Sequence, residues 1–110
     1  MTVVPVKVFR ACSPWSRLRG LLGAPRPGPG EGMLLAPCRA IHTIGMRYPI
    51  DVVFLDRDGQ VLALRPALNA GRIAVCRGAT AVLELAAGEA RRLGLWMGRR
   101  VALIETEGRV

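Results

Sequence analysis

Four consecutive apolar residues, Val52-Val53-Phe54-Leu55, are followed by Asp56-Arg57-Asp58-Gly59 and a second apolar run, Val61-Leu62-Ala63-Leu64. This stretch limits the possible folds more than any other. An apolar run without alternation fits a strand covered on both faces. Asp at the first turn position and Gly where left-handed backbone is needed predict a bulged hairpin. The chain must therefore place a layer over each face of the strand at 52–55. The hairpin closes a longer stretch, residues 41–56, that holds the only His, the only Tyr and one of two Phe, with Asp51 and Asp56 bracketing the buried strand.

The 110 residues fit a single domain over residues 1–110, and 51% apolar content supports one core without staples. Aromatics make up only 5%, so that core must be built from Val, Leu, Ile and Ala. No run approaches the roughly 18 apolar residues that span a bilayer. The N-terminus lacks a basic start followed by a long apolar region, so no signal peptide is read and a cytoplasmic location is expected.

Outside the hairpin, residues 2–9 read as a strand that Pro5 restricts to an edge or first strand. Ser13-Pro14 starts a helix, with Trp15, Leu18, Leu21 and Leu22 on one face and Gly23-Ala24-Pro25 ending it. Residues 23–32 are a Pro/Gly-rich surface loop. A short strand follows at 33–36. Residues 66–79 are irregular except for Ile73-Ala74-Val75, and further strands fall at 81–85 and 101–105. Gly88 and Gly94 bracket a short helix at 89–93. The tail after Glu107 is expected to fray. This order predicts an α+β fold: a small curved, mostly antiparallel β-sheet or partly closed β-barrel with two short helices.

The net charge of +8 raises the possibility of nucleic-acid binding. The fifteen Arg and one Lys are spread along the chain, however, and only Arg91-Arg92 and Arg99-Arg100 are adjacent. They do not interleave with aromatics that stack bases, so we read them as solvated surface charge. Cys12, Cys38 and Cys76 are widely spaced with no C-x-x-C pair, which fits reduced, buried thiols better than a metal or redox motif. No phosphate-loop or dinucleotide pattern is present, and no cofactor is expected.

The run Met46 to Asp56, then Asp58-Gly59, then Val82-Leu83-Glu84-Leu85 and Gly88 resembles the domain-of-unknown-function family 192. Residues 17–23 (Arg-Leu-Arg-Gly-Leu-Leu-Gly), Pro37-Cys38 and Ile41-His42-Thr43 resemble one branch of it. The resemblance implies a compact β-rich α+β domain, often standing alone in prokaryotes, and implies no activity. Many members carry an aromatic-Met-Lys-Asn-Thr segment where this chain has residues 42–46, so His42 is not a family-wide residue. Members also commonly have Gly-Asp where this chain has Gly98-Arg99.

Five residues are candidates for a site. His42 is the side chain best suited to proton transfer near neutral pH, or else a hydrogen-bonded packing histidine. Cys38, four residues earlier, is a candidate nucleophile partner or zinc ligand. Four residues along an extended strand put the two more than about 12 Å apart, which favours separate structural roles. Asp51 either accepts backbone N–H groups and pins its strand, meets an Arg such as Arg47, or lines a pocket with His42 and Thr43. Glu84, inside an apolar strand, needs a partner if it faces inward. That partner is either an Arg or a pocket shared with Asp51 or His42. Met46 and Met97 are read as packing residues rather than metal ligands.

The expectation is a binding or accessory module with a polar pocket near Cys38, His42, Thr43, Asp51 and Glu84, taking a small ligand or a protein partner. The alternatives are a small hydrolase with His42 as general base and Cys38 or water as nucleophile, and a structural or partner-docking protein.

Overall fold

A computed structural model of the chain describes residues 3–11 and 13–106. The expectations for Cys12 and for the tail after Glu107 lie outside the described residues. Ten elements follow in order: β1 (Val3–Ala11), α1 (Pro14–Arg19), β2 (Glu31–Leu35), β3 (Ala40–His42), β4 (Ile50–Leu55), β5 (Val61–Leu68), β6 (Ile73–Val75), β7 (Ala81–Ala86), α2 (Glu89–Leu93) and β8 (Arg100–Glu105). Six strands form one sheet in the order β5-β4-β7-β2-β1-β8, while β3 and β6 pair separately. The α+β expectation holds, in a mixed form. β1 pairs in parallel with β2 and β8, and the remaining pairs are antiparallel. The β1–β2 link, which carries α1, is long enough for a parallel crossover.

β4 is buried at every position, as its unbroken apolar run requires. Val53 and Leu55 face one core together with Leu83, Leu85 and Leu34. Ala90 of α2 and Leu95 cover that side. Ile50, Val52 and Phe54 face a second core with Val82 and Met33. Leu21, which follows α1, covers it together with Ile41 of β3 and Ala74 of β6.

The hairpin forms as predicted. Asp56 Oδ1 accepts the N–H groups of Asp58 (2.8 Å) and Gln60 (2.9 Å), and Gly59 is left-handed at φ 81°. A Cβ on Gly59 would sit 2.7 Å from the Val101 carbonyl oxygen, so only glycine fits there. Behind it Val61 N–H donates to Arg99 O and Val101 N–H to Gly59 O, each at 2.8 Å. These bonds join the starts of the two edge strands, β5 and β8. The sheet is thus closed at one end and open at the other.

Several sequence expectations need correction. Of the two placements expected for Pro5, the first strand holds and the edge does not: Pro5 lies in β1, which is flanked on both sides. It is tolerated because β2 begins at Glu31, opposite Lys7, so the missing N–H of Pro5 points past the end of β2. β5 runs on through Pro66 to Leu68, on the sheet edge where a proline costs no ladder bond. In α1, Ser13 caps as expected and forms a capping box with Ser16. The helix stops at Arg19, however, and Gly20 (φ 52°) turns the chain away. Leu21 enters the core, whereas Trp15 and Leu18 remain 70% and 60% exposed. The helical stripe read from the sequence is cut in two by this glycine. Met46 packs against the second core, while Met97, expected to pack, is 68% exposed. Among the described residues no helix is long and apolar enough to cross a membrane.

Candidate functional site

Two buried carboxylates sit in the sheet, one on each face. Asp51 of β4 is paired with Leu85, and Glu84 of β7 with Val52 and Met33. Directly opposed residues share a face. Asp51 therefore points into the first core and Glu84 into the second, so the pocket expected between these two acids does not form.

Asp51 is 1% exposed and both its oxygens are used. Oδ1 accepts Ala67 N–H at 2.8 Å and Oδ2 accepts Ala90 N–H at 2.9 Å. Ala67 lies at an irregularity of β5 with φ 49°, where the β4–β5 register shifts. Ala90 is in the first turn of α2, whose N-cap, Gly88, has no side chain to offer. Asp51 thus caps α2 from the neighbouring sheet, with backbone partners and not Arg47.

Glu84 is 3% exposed and holds the other cover in place. Its Oε1 accepts the N–H of Leu21 at 3.0 Å. A Cβ on Gly20 would lie 2.7 Å from that oxygen, which explains a glycine just before Leu21. No arginine pairs with Glu84; its partner is this backbone N–H. Unlike Asp51, Glu84 has a single hydrogen-bond donor among the described residues. Burial pushes its carboxyl up to about 7, and the Leu21 N–H pulls back only in part.

Glu84 lies on a cavity of about 230 Å³ between α1 and β3, bordered by Leu18, Arg19, Ile41, His42 and Ile73. A second cavity of about 420 Å³ shares Leu18, Arg19 and His42 and adds Trp15 and Leu22. Together they form a cleft with an acid floor, an apolar wall and the arginines Arg17 and Arg19 at its border. Arg19 Nε donates to Leu22 O at 3.2 Å.

His42 forms one wall. Its Nε2 lies 3.0 Å from Leu18 O, and its Nδ1 accepts Ile44 N–H at 3.2 Å. A carbonyl can only accept, so Nε2 carries the proton and Nδ1 the lone pair. Both ring nitrogens are committed to backbone. The imidazole joins β3 to the end of α1.

The other candidates lie elsewhere. Thr43 is fully buried; its hydroxyl donates to Asn69 O (2.6 Å) and accepts Arg72 N–H (2.8 Å), which fixes the loop between β5 and β6. Cys38 donates its thiol to Ala40 O at 3.1 Å and lines a different recess with Arg39 and Thr80. Cys38 and His42 share none of the described cavities. No three His, Cys, Asp or Glu side chains among the described residues gather as a metal site would require. The sequence reading missed Gly20, Leu21 and Arg19. Their signal lies in Arg17-Leu18-Arg19-Gly20-Leu21-Leu22-Gly23, where a glycine interrupts the helical stripe.

The sheet, its two pinned covers and the acid-floored cleft define a small β-rich α+β domain with a candidate ligand site under α1. The chain belongs to the DUF192 family, described as "Uncharacterized ACR", whose family model matches residues 2–103. Two solved structures are similar. A candidate transcription regulator from Sinorhizobium meliloti 1021 is 28% identical with a TM-score of 0.77, over 84% of this chain and 78% of that one. A protein of unknown function from Novosphingobium aromaticivorans DSM 12444 is 25% identical with a TM-score of 0.76, over 84% of this chain and 71% of that one. No curated protein matches.

Proposed function

We propose that this chain is a single-domain cytoplasmic binding module whose ligand enters the cleft between α1 and β3 and hydrogen-bonds Glu84. The observation that carries this reading is the contrast between the two buried acids. Asp51 has a donor on each oxygen, whereas Glu84 has one donor and a cavity beside it. A buried carboxyl is costly unless its oxygens are satisfied. A ligand that brings a donor would supply the second bond. Arg19 on the rim favours an anionic group, and Trp15, Leu18 and Leu22 favour an apolar body. The smallest class carrying all three features is an apolar α-amino acid or a short peptide end.

The commitment of both His42 nitrogens to backbone favours binding over hydrolysis with His42 as base. The test is a thermal-shift panel of apolar α-amino acids, their N-acetyl forms, which lack the ammonium donor, and their methyl esters, which lack the carboxylate. The free amino acids are expected to raise Tm in the wild type. Both derivative series should lose most of the effect, and Glu84→Gln should abolish it. No stabilisation by any member, or equal stabilisation in Glu84→Gln, rejects the reading.

A further inference from the structure

We propose that the loop between α2 and β8 is an anchor for an anionic lipid surface, a site separate from the cleft. The loop turns at Gly94 (φ 75°) and again at Gly98 (φ 88°). Between these glycines it buries Leu95 in the first core, while Trp96 and Met97 stay 57% and 68% exposed. Its backbone is fixed: Leu95 N–H donates to Ala90 O, Arg99 N–H to Trp96 O and Gly98 N–H to Val61 O. Both large apolar side chains are therefore presented on a fixed turn, Met97 projecting from it and Trp96 lying along it with its six-membered ring beside Gly94.

The charge around them completes the pattern. The only two Arg-Arg pairs of the sequence, Arg91-Arg92 and Arg99-Arg100, bracket this turn. The single acid in the stretch, Glu89, is held by Arg92. The Arg99 guanidinium lies 4.5 Å from the Trp96 ring centroid, which sets a cation beside the indole. Its Nε is buried with no hydrogen-bond partner. Trp has an apolar body and a polar N–H, and it favours the boundary between lipid headgroups and acyl chains. Arginines flanking it match the negative surface potential of an anionic leaflet.

A partner protein is the other occupant such a patch could take. The dense local charge favours a surface of phosphates.

The test uses the full chain with Trp15→Phe, so that Trp96 is the only indole. It is mixed with phosphatidylcholine vesicles made with and without phosphatidylglycerol. Binding is expected only with the anionic lipid, with a blue shift of Trp96 emission and quenching by brominated acyl chains. Trp96→Ser in the unmodified chain, followed by vesicle sedimentation, should weaken binding about tenfold or more. Met97→Ser, on the more exposed side chain, should weaken it in the same assay. Four results overturn the proposal: no binding to anionic vesicles, binding with no blue shift, binding unchanged in both Ser variants, or a concentration-dependent dimer lost in Trp96→Ser without vesicle binding.

Discussion

Replacing Glu84 with Gln should remove a specific pH dependence of stability. In the folded chain burial holds the Glu84 carboxyl near 7, against an ordinary value of 4.5. Between those values the folded state keeps a proton that the unfolded chain releases. Stability therefore falls as pH rises through this window and levels off above about pH 7. The difference corresponds to about 3 kcal/mol, at roughly 1.4 kcal/mol for each pH unit. This is a large share of the stability of a small domain. Gln keeps the shape and can still accept the Leu21 N–H, but it does not titrate. Glu89 and Glu105 are held below the ordinary range by Arg92 and Arg10, so their contributions are lost in acid, outside this window. Urea unfolding followed by circular dichroism, from about pH 5 to about pH 8, gives both curves. The wild type should lose about 3 kcal/mol across that range relative to Glu84→Gln, and the variant should be the more stable protein at the upper end. Parallel curves would refute the argument, because Glu84 would then be ionised like an exposed acid.

Two further predictions concern the covers. Asp51→Ala strands the Ala67 and Ala90 N–H groups together, so the urea midpoint should fall by the equivalent of about 2–4 kcal/mol. A loss below about 1 kcal/mol would show that water replaces the carboxylate. Gly20→Ala places a Cβ 2.7 Å from Glu84 Oε1 at φ 52° and should cost about 1–3 kcal/mol. The cost should shrink in a Glu84→Ala background, read by a double-mutant cycle. Simple additivity would mean that the backbone angle alone is responsible.

The strands were legible because their signals are local. The unbroken apolar run of β4, the Asp-Arg-Asp-Gly turn and the glycines around α2 each specify an element without help from distant residues. That the strand of Pro5 lies inside the sheet was not legible, because whether a proline is tolerated there depends on where the neighbouring strand ends. The fate of α1 turned on Gly20, whose role is set by a carboxylate 64 positions away in the sequence. For the site, residue type pointed to His42 and Glu84, and these do share a cavity. Residue type also pointed to Thr43, Asp51 and Cys38. Asp51 is taken by backbone N–H groups of β5 and α2 and Thr43 by the loop between β5 and β6, whose approach no local pattern encodes, while Cys38 donates to its near neighbour Ala40. The separation of Asp51 from Glu84 follows from strand register, which a single sequence does not reveal.

The binding reading is tested most directly by amide NMR. Spectra of the nitrogen-15-labelled protein are recorded with and without the apolar α-amino acids and their blocked derivatives. The expected result is that the amides of Leu21, Ile41 and His42 shift with the free amino acids and stay still in Glu84→Gln. Shifts confined to the Cys38 recess, or none with any member of the panel, would contradict it.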